Sequence, residues 1–170
     1  NADFTYRFST LRNIRFTYRG NTSQPSVTQL DPTEDITNPL HIRSGNADLL
    51  PSFSNNLSLI YNFSDRTKQQ STRLTLNYSF VLNEIINKTM YEANTGVQKT
   101  FPINQNGIWN SSARLLYNTP LDKNKKLQLT SNTDMSFRNQ IGYMSFKEDT
   151  ETKNTAKTLS MSENLSVSFR

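Results

Sequence analysis

The 170-residue sequence has no cysteine, a single histidine and no long run of apolar residues. Without cysteine it has no disulfide and no thiolate to bind a metal, and His41 alone excludes a pair of histidine ligands. A transmembrane helix needs about 20 consecutive apolar residues, so that class is excluded as well. Only 34% of the residues are hydrophobic, whereas soluble domains usually contain about 45–50% apolar residues.

Positive charge is in slight excess, with 19 lysines and arginines against 14 acidic residues. The basic residues are scattered along the chain, apart from Lys123, Lys125 and Lys126, which fall in a predicted tight turn. A nucleic-acid-binding surface combines a basic patch with interleaved aromatic residues. The sequence therefore predicts no nucleic-acid partner.

Aromatic residues, in contrast, make up 11% of the chain, which is too many for a disordered polar chain. In the segment 72–86, Leu74 and Leu76 share one side of the chain while Arg73 and Thr75 share the other. This period of two residues is typical of a β-strand with one apolar and one polar face. The same alternation recurs in segments 4–8, 14–18, 57–63, 109–117, 127–137 and 159–169. The pattern thus predicts an all-β chain of seven strands.

Two properties of these strands favour a transmembrane β-barrel. Most of them are longer than the strands of globular proteins, which average about 5–6 residues, and they suit the about 9–11 residues that cross a bilayer. Their connections also alternate in length, as do the short periplasmic turns and long extracellular loops of outer-membrane barrels. The short connections are 9–13, 64–71 and 119–126, and the predicted extracellular loops are 20–52, 87–107 and 139–156.

The aromatic residues lie near the two ends of the predicted strands, with Leu, Met or Ala between them. Phe8, Tyr61 and Tyr117 are near short turns, whereas Trp109 and Tyr143 are near long loops. Two aromatic girdles around an aliphatic band are typical of a barrel in lipid. Asn, Ser, Thr and Arg would then line a polar lumen. The residues predicted to face lipid are Tyr18, Leu59, Tyr61, Phe63, Leu76, Tyr78, Phe80, Trp109, Leu115, Tyr117, Leu129, Phe137 and Phe169.

The first long loop contains three short motifs in a fixed order. They are Pro25-Ser26-x-x-Gln29-Leu30, Asn38-Pro39-Leu40 and Gly45-Asn46-x-Asp48-Leu49-x-Pro51, and the strand that follows contains Leu59-Ile60-Tyr61-Asn62. These motifs and their order resemble those in the barrel of TonB-dependent outer-membrane receptors, in particular the outer-membrane β-barrel family common in Bacteroidetes. Ala47 stands where that family usually has Pro, and Ser52 where it often has Glu.

The resemblance implies an antiparallel up-and-down transmembrane β-barrel in the outer membrane, of which residues 1–170 supply about seven of about 22 strands. It implies a non-enzymatic role in nutrient uptake. The implied partners are outer-membrane lipid, the rest of the barrel and a plug domain that this chain lacks. They also include the TonB energy-coupling complex, acting through that plug, and a surface lipoprotein. The loop motif either fixes loop geometry and strand entry or shapes a ligand mouth.

No catalytic, cofactor or metal site is predicted. The carboxylates of Asp31, Glu34, Asp35 and Asp48 could ligate Ca²⁺, but their spacing is not that of an EF-hand. The cluster of Glu148, Asp149 and Glu151 is interpreted as a solvated acidic tip of the third long loop. The chain also lacks a G-x-S-x-G nucleophile elbow and a glycine-rich phosphate loop.

Two alternative folds stay open. The chain could form a small complete outer-membrane barrel of eight strands with no transport role, since single-chain bacterial barrels have even strand numbers. It could also form a soluble β-rich binding module, such as a glycan-binding sandwich. The second alternative requires Leu76, Tyr78, Leu115 and Leu129 to pack between two sheets.

Overall fold

Ten β-strands and one helical turn make up the computed structural model, which describes residues 1–92, 94–145 and 151–169. The elements are β1 (Ala2–Arg7), β2 (Arg12–Ser23), α1 (Val27–Leu30), β3 (His41–Arg43), β4 (Ser52–Asp65), β5 (Gln70–Leu82), β6 (Glu84–Tyr91), β7 (Gln98–Gln105), β8 (Ile108–Pro120), β9 (Leu127–Ser145) and β10 (Glu151–Phe169). None of the described helical residues forms a segment long and apolar enough to cross a membrane.

The seven strands predicted from the alternation all form, and they pair in chain order. Strands β1, β2, β4, β5, β8, β9 and β10 are each antiparallel to the next. Short turns at 8–11, 66–69 and 121–126 join alternate pairs at one end of this meander. The predicted all-β, up-and-down topology is therefore confirmed.

The long connections contain more regular structure than the sequence pattern predicts. The interval 87–107 was expected to be a loop, but it lies mostly in the hairpin of β6 and β7. The interval 139–156 is mostly strand, because β9 continues to Ser145 and β10 begins at Glu151. The first loop contains β3 and the single turn of α1.

The β6–β7 hairpin attaches to the meander in an unusual way. It continues β5 and β8 beyond Asn83 and Gly107, which both adopt positive φ angles, 53° and 96°. Strand β8 begins at Ile108 and so leaves the end of β9 without a partner on that side. Strand β6 occupies this edge instead, with Lys88–Met90 parallel to Tyr143–Ser145. Strand β3 then adds to β7, also in parallel. This arrangement supplies backbone partners that the longer β9 would otherwise lack.

The described residues form a single sheet with no second sheet packed on it. Among them, the buried apolar side chains are Leu49, Pro102 and Ile141. Leu76, Tyr78 and Leu115 are 38%, 41% and 36% exposed. The two-layer core that a soluble sandwich requires is therefore absent from this part of the chain. Strands β1 and β10 do not pair with each other, so the described sheet does not close on itself.

Candidate functional site

The meander has one apolar face, and the strand register shows how continuous it is. Directly opposed residues of neighbouring antiparallel strands point to the same side of a sheet. One such row crosses all seven strands through Phe4, Phe16, Leu59, Leu76, Ala113, Met135 and Met161. By the same register, every residue that the sequence predicted to face lipid lies on this apolar face. Their contact with lipid stays a prediction.

The opposite, polar face is equally continuous. The row next to the apolar one consists of Asp3, Thr17, Ser58, Asn77, Ser112, Ser136 and Ser160. Within it the Ser58 hydroxyl donates to Asn77 Oδ1 over 2.9 Å, and Asn77 Nδ2 donates to Ser112 Oγ over 3.2 Å. Side-chain hydrogen bonds thus link three neighbouring strands on a face suited to contact with water.

Two ion pairs also bridge neighbouring strands on the polar face. Arg15 Nη2 lies 2.6 Å from Asp3 Oδ2, and Arg15 Nε donates to the same carboxylate, so the contact is bidentate. Arg114 Nε lies 2.5 Å from Asp134 Oδ1. All four side chains are at least one-third exposed, so solvent screens both pairs and each contributes little to stability.

Aromatic side chains cluster at both ends of the apolar face. Near the long loops, the ring centroid of Trp109 lies 6.0 Å from that of Tyr78 and 5.0 Å from that of Phe137. Near the short turns, the ring centroids of Tyr6 and Phe8 lie 4.8 Å apart, and the Arg12 guanidinium sits 5.3 Å from the centroid of Phe63. The expected two-ended distribution of aromatic residues is therefore present on the face predicted to meet lipid.

An acidic group, Glu163, lies within the apolar face, and the sequence analysis missed it. Glu163 lies opposite Thr133 in the register of β9 and β10. Its carboxylate accepts hydrogen bonds from Ser131 Oγ, over 2.8 Å, and from the Thr133 hydroxyl. Met135, Met161 and Leu165 lie in adjacent positions. The sequence does contain a signal for this group, because the apolar alternation of β9 and that of β10 are interrupted at facing positions.

The first loop motif builds a capped turn. Ser26 is the N-cap of α1: its hydroxyl accepts from Gln29 N over 3.3 Å, while Ser26 N donates to Gln29 Oε1 over 2.9 Å. This reciprocal capping box satisfies backbone N–H groups that a helix start leaves open. Pro25 directly precedes the cap, and Leu30 is the last residue of the turn.

The third motif closes back on this turn through Gly45. Gly45 N donates to Asp31 O over 2.8 Å, and Asn46 N donates to Gln29 O over 2.7 Å. A Cβ atom at residue 45 would lie 2.4 Å from Asp31 O and 2.6 Å from Gln29 O. The backbone segments therefore approach so closely that only glycine fits.

Other motif residues hold the loop against β7. Asn46 Nδ2 donates to Pro102 O over 3.1 Å and Asn46 Oδ1 accepts from Asp48 N. The Asn104 amide bonds both backbone groups of Leu50, over 2.8 and 2.9 Å. Between these contacts Leu49 is buried and only 7% exposed.

The Asn38-Pro39-Leu40 motif makes the turn that leads into β3. Asn38 Oδ1 accepts from Leu40 N over 3.1 Å, and Leu40 O accepts from Gln98 N over 2.8 Å. Pro51 directly precedes β4. Most motif residues thus bind other parts of the loop or the β6–β7 hairpin. A contact with a ligand stays a prediction.

The acidic residues of the first loop are engaged in local contacts. Hydrogen bonds from Thr33 lower the pKa of Asp31, and those from Thr37 lower the pKa of Asp35. Glu34 lies 3.7 Å from Lys99. Residues 1–92, 94–145 and 151–169 contain no group of three His, Cys, Asp or Glu side chains placed to hold a metal. Glu148 and Asp149 lie outside the described residues, as does the side chain of Glu151.

A meander of long strands with an apolar and a polar face, aromatic residues at both ends and long connections at one end defines a class of protein, the outer-membrane β-barrels. The chain belongs to the outer membrane protein beta-barrel family, whose model matches residues 1–170. It is therefore an outer-membrane protein, and the family and location expected from the loop motif are confirmed.

A solved structure supports the same architecture. The chain is similar to the siderophore receptor PirA from Pseudomonas aeruginosa, with a TM-score of 0.55 and 16% sequence identity. The alignment covers 96% of this chain and 34% of the receptor, so the chain spans about a third of that receptor's length. At this identity the likeness shows the fold alone. No curated protein matches the chain.

Proposed function

We propose that the chain is part of the barrel wall of an outer-membrane receptor that takes up a nutrient ligand. The two-faced meander carries this proposal, because seven paired strands keep apolar residues on one side and hydrogen-bonding residues on the other. In hydrocarbon, backbone groups must be satisfied by closed pairing and the outward surface must be apolar. The apolar face then contacts lipid, and the polar face lines the lumen. The role is structural and non-enzymatic.

The ends of the meander suggest its orientation. Short turns are periplasmic in outer-membrane barrels and long connections are extracellular. The first loop and the β6–β7 hairpin then lie outside the cell, where the contacts of Gly45, Asn46 and Asn104 preassemble them. A rigid extracellular rim suits a ligand mouth, because little conformational entropy is lost when a ligand binds.

Energy for uptake would come from outside this segment. We assign to other parts of the parent protein a plug domain inside the barrel and a contact with the TonB complex. A surface lipoprotein over the extracellular rim is a further proposed partner. The fold is shared with a siderophore receptor, which supports a nutrient as the ligand but does not indicate which nutrient.

Single cysteines test the orientation of the two faces, because residues 1–170 contain no natural cysteine. In the full-length protein in outer membranes, Asn77→Cys should react with a water-soluble maleimide, whereas the adjacent Leu76→Cys should react only with a lipid-soluble one. Equal reaction of both variants with the water-soluble reagent would contradict the proposal. So would release of the protein from membranes by carbonate.

Uptake needs a separate measurement. Small molecules that copurify with the full-length receptor are identified by mass spectrometry, and accumulation of the candidate by cells is then followed. Accumulation should require both the receptor gene and an energised inner membrane. Accumulation that continues at the same rate after an uncoupler is added would contradict energy-coupled import and would leave the barrel assignment intact.

A further inference from the structure

The charges on the polar face are unbalanced. By strand register, the described meander strands place two carboxylates on this face, Asp3 and Asp134. Both are already held in ion pairs, by Arg15 and Arg114. The arginines on the same face are Arg7, Arg15, Arg19, Arg73, Arg114 and Arg138. The described meander strands therefore place six guanidinium groups and two carboxylates on this face, so positive charge is in excess.

Three of these arginines define what we call the free-arginine strip: Arg19, Arg73 and Arg138. All three are exposed, and no described carboxylate lies within 4.0 Å of any of them. Arg19 and Arg138 lie in one register row, separated by Asn56, Ser79 and Asn110. Arg73 lies nearer the short turns, between Asn62 and Leu116.

One residue of the strip, Arg73, borders a depression that contains several hydrogen-bonding side chains. Arg73 lines this concavity of about 870 Å³ together with the ion pair of Arg114 and Asp134 and with polar side chains such as Asn77 and Ser112. In the described meander strands, no aromatic residue points to this face, because the register places Tyr78, Trp109 and their like on the other side. Stacking on sugar rings or bases is therefore unavailable here, whereas charge-assisted hydrogen bonding is available.

We infer that the polar face selects for anionic solutes bearing carboxylate or phosphate groups. The inference rests on the proposed function, in which this face lines the lumen. Guanidinium groups match the planar oxygen pairs of such anions bidentately. Charges of one sign along a confined low-dielectric passage also raise the local concentration of the opposite ion. The neutral Ser and Asn rows between the arginines give a solute hydrogen-bond partners without trapping it at one strong site.

Anion binding by the full-length receptor in non-ionic detergent tests the inference. The probe is a trisulfonated pyrene dye followed by fluorescence anisotropy at low salt, with a tricationic dye of similar size as the comparison. The test variant is Arg19→Gln/Arg73→Gln/Arg138→Gln. The matched control, Arg66→Gln/Lys68→Gln/Lys123→Gln, removes the same charge from the short turns.

The wild-type receptor should bind the anionic dye and not the cationic dye, and binding should weaken as salt is raised. The strip variant should weaken anion binding by about tenfold, while the turn variant should bind as the wild type does. Equal binding by both variants, or no binding by the wild type, would overturn the inference.

Two further readouts make the result decisive. Heat-modifiable mobility on gels reports whether each variant is a folded barrel, independently of any solute. If the strip variant lost dye binding and its unfolding temperature also fell well below that of the turn variant, the arginines would pair with an acidic part of the same protein, and a role in solute selection would be contradicted. A normal mobility shift with unaltered dye binding would reject this inference alone and leave the proposed barrel standing.

Discussion

At the scale of single residues, Glu163 is the strongest test of which side of the sheet meets lipid. Its carboxylate lies among Met135, Met161 and Leu165 on the apolar face, held by Ser131 and Thr133. If that face is in hydrocarbon, an ionised carboxylate there is unfavourable. The two hydroxyl donors reduce this penalty, and they account for how the sequence tolerates the group.

We therefore expect Glu163→Leu to stabilise the full-length barrel in lipid vesicles, with a higher urea midpoint of unfolding. The control is Ser162→Leu, which places the same side chain on the polar face one residue away. That change should lower the midpoint or leave it unaltered. A lower midpoint for Glu163→Leu than for Ser162→Leu would mean that the two faces have been assigned the wrong way round.

Gly45 provides a prediction with a built-in control. Alanine at this position would place Cβ against the carbonyl oxygens of Asp31 and Gln29, whereas at Gly142 no atom lies within 4 Å of the added Cβ. Overpacking of this kind costs about 1–3 kcal/mol. Gly45→Ala should speed hydrogen exchange and protease cleavage in residues 24–51, and Gly142→Ala should leave both rates unchanged. Equal rates in the two variants would be inconsistent with the close approach described here.

Acid should loosen the same loop. The pKa values of Asp31 and Asp35 are lowered by hydrogen bonds from Thr33 and Thr37. A carboxyl group with a lowered folded-state pKa stabilises the fold above its ordinary pKa, and this contribution is lost as the pH falls through the lowered value. Hydrogen exchange at residues 31–37 should accelerate only in strong acid. Thr33→Val should shift the onset to higher pH, and an unchanged onset would contradict this account.

At the scale of strands and loops, the parallel contact between β6 and β9 is the least anticipated feature. A disulfide tests its register, since Thr89 is paired with Met144. Thr89→Cys/Met144→Cys should oxidise readily, because disulfides need Cα atoms about 4.4–6.8 Å apart. Thr89→Cys/Gly142→Cys, displaced by two residues along β9, should not. Efficient crosslinking of the displaced pair alone would show that the hairpin docks in another register.

The sequence predicted the meander well because a strand exposed to two different environments must alternate. That signal is local, and it identified all seven meander strands. Strands β6 and β7 escaped notice because their neighbours are protein on several sides, so residues such as Ile85 and Ile86 are adjacent and break the alternation. The pairing of β6 with β9 depends on contacts more than 50 residues apart along the chain, which no local pattern encodes.

The loop motif was recognisable for a different reason. Its residues are dictated by backbone geometry, as the capping box of Ser26 and Gln29 and the missing side chain of Gly45 show. Residues with such requirements form a sequence motif that can be recognised without the structure. The free-arginine strip has no sequence motif, because Arg19, Arg73 and Arg138 lie on three different strands and share one face only through the register.

At the scale of the whole molecule, the described strands form one open sheet. The edges of β1 and β10 are unpaired, and the apolar face carries exposed residues such as Met161, at 66%, and Phe169, at 75%. Unpaired edges and large apolar surfaces both promote association. The 170-residue segment produced alone should therefore need detergent and should aggregate without it, as light scattering would show. A clear, monomeric solution in plain buffer would argue for a self-contained soluble fold.

The parallel pairing of β6 with β9 also affects how the structure resists force. Antiparallel neighbours in the meander can be peeled apart one hydrogen bond at a time when the chain is pulled from an end. A force directed along the strands would instead shear the parallel segment Lys88–Met90, so that its hydrogen bonds bear the load together. If a force acts on the parent receptor from the periplasmic side during its working cycle, the contact between β6 and β9 would preserve the shape of the extracellular rim while the interior of the barrel rearranges.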